Sequence, residues 1–481
     1  MNLKDLLKDV EYAIYGECDI EVESLTHNSK DKQNNGLFFA LNGNNFNGED
    51  FVFEAVENGA KVVVSEKKLN VNATNIIVRD TRKAMSLISK NFYNSPADKM
   101  LLIGVTGTNG KTTTTYMLKN IFEKAGKKLG VIGTNGVVID NQIFESDFTT
   151  PDPILLQKIL REMADKNVDV VCMEVSAHAL ELQKLWGVMT DIALFTNLSQ
   201  DHLDYFKNMQ NYFEAKRKFF TSDYARFGVV NIDDPYGKII YNSSYIPLIS
   251  YSKEQGNQAD FFASEIKSGS NFQEFKVKTI KGEISVKLNM LGSFNVSNAL
   301  GAITAAIMAG IDKKHIISGL SSLNKIDGRF NFYYVNGAKV IIDYAHTPDG
   351  LENILKSARE ITENRLISVF GCGGNRDASK RHIMGRISTS LANLTIITSD
   401  NSRNEDPIDI IEDIERGVVS KNYMLEIDRI TAIKKAVNLA RYGDTIVISG
   451  KGAENYFDVK GEKIPYQTDA EIIKEMQNEK L

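Results

Sequence analysis

The sequence predicts an α/β protein of three domains, with mostly parallel, doubly wound sheets at its centre and C-terminus. Three observations carry this. The length of 481 residues corresponds to about three domains of ordinary size. Short apolar, β-branched runs alternate with helical stretches, the pattern of strand–helix–strand units in one parallel sheet. A glycine-rich segment between Gly104 and Thr115 joins one such strand to a helix.

Residues 1–97 form the small N-terminal α/β domain. Its strands are expected at Gly36-Leu-Phe-Phe-Ala-Leu41, Lys61-Val-Val-Val-Ser65 and Asn75-Ile-Ile-Val78, and Asn94-Ser-Pro-Ala97 makes a natural joint. Residues 98–328 form the central domain, of the phosphate-loop ATPase type. Strands are expected at Leu101–Val105, Val168-Asp-Val-Val-Cys-Met173 and Asp191-Ile-Ala-Leu-Phe-Thr196. Residues 329–481 form a second, Rossmann-like α/β domain. Its strands are Lys339-Val-Ile-Ile-Asp343, Arg365-Leu-Ile-Ser-Val-Phe370, Leu394-Thr-Ile-Ile-Thr398 and Asp444-Thr-Ile-Val-Ile-Ser449. Open α/β sheets bind ligands at the C-terminal ends of their strands, and almost every polar cluster of this chain falls at such an end.

The composition excludes several classes. The chain is 42% hydrophobic and 25% charged, with net charge −5, as for an ordinary globular protein. No run of like charges is long enough for a nucleic-acid arm. Cys18, Cys172 and Cys372 are far apart and form no CxxC pair, which fits a reduced, cytoplasmic protein. The N-terminus reads as an amphipathic helix rather than a signal peptide, and no apolar run approaches the roughly 18 residues of a membrane span. A monomer with small-molecule substrates, and no nucleic-acid or membrane partner, is expected.

The phosphate loop is the most specific feature. Gly107 and Gly110 let backbone N–H groups of Gly107, Thr108, Asn109 and Gly110 curl around phosphate oxygens, and the helix that follows adds its positive dipole end. Lys111 can reach the β- and γ-phosphates, and the hydroxyl of Thr112, followed by Thr113, can sit on Mg²⁺. Val105 stands where the strict pattern has its first glycine. A nucleoside triphosphate, with Mg²⁺, is the implied ligand.

Further clusters follow the other strands. Glu174 could hold the Mg²⁺ that bridges two phosphates, or could cap a helix. His202, between Asp201 and Asp204, fits a second metal or the phosphates. Tyr212-Phe-Glu-Ala-Lys-Arg-Lys218 reads from composition as a solvated, charged helix. Asn295 and Asn298 project from one helix face and suit a base edge, or else form an N-cap with a surface neighbour. In the third domain four polar loops share one sheet edge: Asp343–Gly350, Gly371–Asp377, Ser399–Pro407 and Gly450–Glu454. They mix Arg376 and Arg403 with Asp400 and Glu454. Guanidinium forks grip carboxylates and carboxylates grip ammonium groups, so the set suits a zwitterionic amino acid.

Taken together, the loops resemble the Mur ligase family of ATP-dependent amide-bond-forming enzymes, over essentially the whole chain. Thr106-Gly-Thr-Asn-Gly-Lys-Thr-Thr113 is similar to that family's phosphate loop, and Glu174, His202, Asn295, Asn298, Arg329 and Asp343 occupy its other signature positions in order. The likeness extends to members that add the third amino acid to a UDP-N-acetylmuramoyl-L-alanyl-D-glutamate. It implies that Ser29, Asn44, Asn45 and Phe46 meet the uridine nucleotide, and that Thr149, Thr150, Ser176 and Lys184 meet the muramoyl dipeptide. It implies that Lys216 is carried as a carbamate, N6-carboxylysine, which with Thr112, Glu174 and His202 would support Mg²⁺. Lys111, Glu174, His202 and Lys216 would thus be the catalytic set. It implies further that Arg376, Asp400, Asn401, Ser402, Arg403, Gly450 and Glu454 hold the incoming amino acid, with a hinge near Arg329.

Several positions depart from the family pattern. Lys184 stands where Arg is common, Ser402 replaces a proline and Ala453 a histidine, and Asn28 and Lys30 stand for Asp and Arg. Arg403 is kept. On the expectation that lysine would leave it without a partner, meso-diaminopimelate is the favoured third amino acid, with meso-lanthionine or L-lysine as alternatives. Rival readings are a folylpolyglutamate-type ligase, a non-catalytic nucleotide binder, and a nucleic-acid ATPase, the last opposed by the acidic balance.

Overall fold

A computed structural model of the chain describes residues 1–43, 46–140, 142–144, 148–269 and 271–478. The expected contacts Asn44 and Asn45 lie outside the described residues. Among the described residues the chain builds three main sheets and one small hairpin. The N-terminal sheet runs, in spatial order, through strands 13–15, 74–77, 60–65, 36–39 and 24–26. Its core is Leu37, Phe39, Val62, Val64 and Ile76 against Ala84, Met85 and Ile88 of the helix Thr81–Phe92. The same helix docks the domain onto the centre. Ser86 Oγ donates to the Gln183 carbonyl at 2.7 Å, and the Lys83 ammonium lies 3.7 Å above the Trp186 ring.

The central sheet has its first strand, Leu101–Thr106, between strands Thr190–Phe195 and Val170–Glu174, all parallel. The chain leaves Leu101–Thr106 for one side of the sheet and later returns to the other. The loop after this strand therefore opens at a reversal of strand order, where such sheets leave a crevice. Side chains alternate along the strand. Ile103 and Val105 pack under helices Lys111–Lys124 and Ser293–Met308, while Leu102 faces the opposite layer with Leu156 and Leu160. Antiparallel pairs extend both edges, through strands 261–268, 273–279 and 282–288 on one side and 129–133, 136–139 and 142–144 on the other, which the alternation of apolar runs did not predict.

The C-terminal sheet orders strands 331–335, 338–343, 445–449, 366–370, 394–397 and 423–425, parallel except for the first. Helices Pro348–Glu360 and Arg381–Leu391 cover one face, and Arg429–Leu439 and Asp469–Asn478 the other. This is the three-domain α/β fold that the sequence predicts. No helix among the described residues is long and apolar enough to cross a membrane.

Candidate active site

The phosphate loop stands where the sheet opens. Gly107 (φ 151°) and Gly110 (φ 86°) hold backbone conformations that L side chains rarely adopt. Gly110 precedes helix Lys111–Lys124, and no side chain among the described residues caps that helix, so its first-turn N–H groups face the crevice. The cradle is narrower than the motif alone implies. The N–H groups of Thr108 and Asn109 already donate to the backbone and side-chain oxygens of Asn197, each at 2.9 Å. A Cβ at Gly110 would overlap Asn298 Oδ1. Gly110→Ala is therefore expected to weaken nucleotide binding on the order of tenfold to a hundredfold. It should also cost about 1–3 kcal/mol of stability. Calorimetric titration with ATP and thermal unfolding check this, and unaltered nucleotide affinity would remove the loop from the site.

Two lysines meet on one carbonyl. The Lys111 ammonium bonds to the carbonyls of Gly107 and Thr108 at 3.1 and 2.9 Å, and Lys216 reaches the same Gly107 carbonyl at 2.8 Å. Lys216 is only 1% exposed. Burial, then the Lys111 charge, drives its pKa well below the ordinary value, and burial lowers Lys111 too. The helix read from composition as solvated thus carries a buried amine whose charged form is disfavoured.

Glu174 is 1% exposed, at the end of strand Val170–Glu174. Its Oε1 accepts from Thr112 Oγ1 at 2.8 Å and from Thr134 N at 3.0 Å. It therefore faces the phosphate loop rather than capping a helix. Thr149 and Thr150 lie beside it: Thr149 Oγ1 is 3.1 Å from Thr134 Oγ1, and Thr150 Oγ1 donates to the Glu174 carbonyl at 2.9 Å. Ser176 N donates to Thr150 Oγ1 at 3.1 Å, and Lys184 Nζ reaches the Thr150 carbonyl at 3.1 Å. The residues expected at the muramoyl dipeptide thus adjoin Glu174 and Thr112, two of the residues expected at the metal. Ser29 lies apart in the first domain, where its hydroxyl bonds to Glu54, and Phe46 is exposed there.

His202 adopts φ 56° and stacks edge-on against His178 at 4.8 Å. Burial pushes its pKa down to about 3, so the ring is neutral and can act as a ligand or acceptor. Asp201 binds it at 3.3 Å and also meets Lys380 at 3.3 Å and His346 at 3.7 Å. Burial alone would raise the Asp201 pKa, but Lys380 and the two histidines outweigh it and hold it well below the carboxylate range.

Lys380 and His346 belong to the third domain, which closes over the loop at several points. Asn109 Nδ2 donates to Asp349 Oδ2 at 2.9 Å, Gln200 Nε2 to Asp377 Oδ2 at 3.0 Å, and Arg329 Nη2 to Thr112 Oγ1 at 3.0 Å. Arg329 also stacks on Tyr344 at 4.5 Å. Asp343, its pKa raised by burial, accepts from the N–H groups of Phe330 and Ala345, each at 2.8 Å. Asn295 and Asn298 share a face and bond to each other at 3.1 Å, as the spacing implies. The Asn295 amide, however, donates to the Leu291 carbonyl at 2.7 Å, so it braces its own helix rather than offering a free base-edge donor.

The four loops of the third domain converge. Asn401 Nδ2 donates to Glu454 Oε2 at 2.9 Å, Tyr344 Oη to Glu454 Oε1 at 3.1 Å, and a Cβ at Gly450 would press on Asp400. Ser402 is buried behind them and Arg376 is exposed at the rim. Lys451, inside the fourth loop, is fully buried and bonds Asn401 Oδ1 at 3.0 Å and Glu454 Oε2 at 3.1 Å, tying two loops together. Asp349 and Lys380 also belong to the site without any local sequence signal, because their partners Asn109 and Asp201 lie in another domain. One expectation fails. It is the premise that Arg403 has no partner without a distal carboxylate: its Nε pairs with Asp458 at 3.1 Å and its Nη1 bonds the Gly374 carbonyl at 2.8 Å. The Asp458 partner sits 55 residues away, beyond the reach of a motif.

Comparison with known proteins agrees with this geometry. Family profiles match residues 21–93 (Mur ligase family, catalytic domain), 105–306 (Mur ligase middle domain) and 328–452 (Mur ligase, glutamate ligase domain). The chain is 42% identical to the UDP-N-acetylmuramoyl-L-alanyl-D-glutamate--2,6-diaminopimelate ligase 1 of Clostridium acetobutylicum, over 99% of each chain. It is 41% identical to the correspondingly named ligase of Aquifex aeolicus, over 95% of this chain and 93% of that one. A solved UDP-N-acetylmuramoyl-L-alanyl-D-glutamate--2,6-diaminopimelate ligase superposes with TM-score 0.71 at 30% identity, covering 100% of this chain and 99% of the other. A folylpolyglutamate synthase of Mycobacterium tuberculosis shares the fold over 77% of this chain at 16% identity, with TM-score 0.64. With its three matched domains and full-length relatives, the chain belongs to the Mur ligase family.

Proposed function

We propose that this chain is an ATP-dependent ligase that joins meso-2,6-diaminopimelate to UDP-N-acetylmuramoyl-L-alanyl-D-glutamate, making a peptidoglycan precursor. The observation that carries the reading is the closure of the third domain's loops onto the phosphate loop, through Asn109–Asp349 and Arg329–Thr112. A phosphate donor and an amino acid bound at these two places would meet across one cleft. The reaction has two steps. A carboxylate oxygen of the D-glutamyl residue attacks the γ-phosphorus of ATP, giving an acyl phosphate and ADP. The amine of the third amino acid then attacks the acyl carbon, loses a proton, and phosphate leaves.

Each residue has a task in this scheme. Lys111 and the first-turn N–H groups would neutralise the triphosphate while Gly107–Thr113 orient it. Arg329, Asp343 and Asn298 would fix the nucleotide from both sides, with Asn295 holding the Asn298 amide in place. Thr149, Thr150, Ser176 and Lys184 would align the acceptor carboxylate, with Ser29 and Phe46 holding the uridine end. Thr112 and Glu174 suit one Mg²⁺, because a single buried carboxylate beside a hydroxyl is the donor set this ion takes next to phosphates. Neutral His202 and a carbamylated Lys216 suit a second. Bound there, the ions would supply positive charge to the phosphate oxygens. Asp400, Asn401, Glu454, Arg376 and Arg403 would hold the amino acid.

With Arg403 paired to Asp458, the choice of diaminopimelate rests on the full-length relatives rather than on an unpartnered guanidinium. Phosphate release with ATP, Mg²⁺ and the muramoyl dipeptide, in separate reactions with meso-diaminopimelate, meso-lanthionine and L-lysine, tests it. Diaminopimelate should give the highest kcat/KM. Lysine as the best substrate would keep the ligase and discard the substrate, and no turnover with any of the three would discard the ligase.

A further inference from the structure

Beneath the amino-acid loops lies a buried network that the reaction scheme does not use. Arg429 and Asp469 are both wholly buried. The guanidinium bonds Asp469 through Nε at 3.0 Å and Nη2 at 2.8 Å, and Tyr466 Oη donates to Asp469 Oδ1 at 2.7 Å. The remaining donors go to two backbone carbonyls: Nη2 to Ser449 at 3.0 Å and Nη1 to Ser399 at 3.5 Å. These residues immediately precede Gly450 and Asp400, on two different loops of the amino-acid pocket.

The sheet topology explains why such a brace matters. Strands 394–397 and 445–449 are not neighbours, because strand 366–370 lies between them. The two strands share no ladder, and the backbone joins the segments beyond them only at the isolated bridge between Arg403 and Val459, among the described residues. One planar guanidinium spans the gap, and its rigid fork fixes both carbonyls at once. A Cβ added at Gly450, whose φ is 116°, would lie 2.5 Å from Asp400 Oδ2, so the two loops approach with no room for a side chain between them. A buried ion pair is weak evidence for stability by itself, since well-packed apolar groups often replace one at no loss. Here, among the described residues, the guanidinium's bonds outside the pair end on the carbonyls that lead into the two loops.

We propose that Arg429, clamped by Asp469 and Tyr466, is a positioning residue for the third amino acid, setting the spacing of the Asp400 and Gly450 loops without touching the substrate. The proposal rests on the reading of these loops as the amino-acid pocket. Three variants of the full chain test it: Arg429→Lys, which keeps the charge and loses the fork, Asp469→Asn and Tyr466→Phe. In the first two, KM for the amino acid should rise on the order of tenfold to a hundredfold, as for a displacement of about 1 Å. KM for ATP and for the muramoyl dipeptide should stay within about twofold. ADP formed in a single turnover without amino acid, which reads the first step alone, should be unaltered. Tyr466→Phe should move the same parameter by less. If Arg429→Lys fails to fold, the other two variants carry the test. Unaltered amino-acid KM in the folded variants overturns the proposal, and so does a parallel rise of all three KM values. Asp400→Asn is the control for the underlying reading. If it leaves the amino-acid KM unaltered, the pocket assignment fails. If it raises that KM while Asp469→Asn does not, only the brace fails.

Discussion

Replacing Lys111 by methionine is expected to abolish nearly all ADP formation while leaving the fold intact. The ammonium lies on the carbonyls of Gly107 and Thr108, with no carboxylate within ion-pair distance among the described residues. Burial lowers its pKa, so the charge is held against its own desolvation. Such a group is placed for the triphosphate rather than for the protein. In the first step an anionic carboxylate approaches an anionic phosphoryl group, and preorganised positive charge there is worth several kcal/mol of barrier. Lys111→Met should therefore lower kcat on the order of a thousandfold or more. It should not lower the melting temperature of the nucleotide-free protein, because removing an unpaired, half-buried charge offsets the lost contacts. A stopped assay of ADP and a thermal melt decide it. A variant retaining more than about a tenth of the activity would show that the lysine is not the phosphate-facing charge.

The sequence made the sheets legible because their strands are buried on both faces and read as apolar runs, as in Val170–Cys172 and Ile446–Ile448. The edge hairpins at 273–288 alternate polar and apolar residues, a weaker signal, and were not expected. The phosphate loop was legible because glycine at positive φ and lysine at a fixed offset form a local pattern. What joins domains was not. Asp349 and Asn109 are 240 residues apart, and neither motif names the other. The Arg403 argument failed for the same reason: its partner Asp458 lies on the strand Tyr456–Val459, which sequence alone does not bring to the 400–403 loop. The reading of helix Met209–Arg217 as solvated failed because charge counts describe composition, whereas the fold turns Lys216 inward and Arg217 outward.

Lys216 carries the second large effect. A buried amine with its pKa driven well below 10.5 is a neutral nucleophile over more of the pH range than a surface lysine. Its nitrogen can attack the carbon of CO₂, releasing a proton and leaving an N-carboxylate. That exchange turns a site crowded with the Lys111 charge into a complementary pair, which favours the product. Lys216→Met should then lower kcat on the order of a hundredfold to a thousandfold, as for the loss of a group supporting phosphoryl transfer. Stripping CO₂ from the buffer should lower wild-type turnover, and bicarbonate should restore it, with no response in the variant. The unmodified amine also predicts a stability trend. Its folded pKa is lowered, so between that value and 10.5 the unfolded chain binds more protons, and stability rises with pH through this window. Without CO₂, the wild type should therefore gain stability on going alkaline, and Lys216→Met should lack that gain and melt higher at neutral pH. Full turnover of the wild type in CO₂-free buffer, with an intact mass free of added CO₂, would refute the carbamate and leave Lys216 as a buried amine that holds the Gly107 carbonyl.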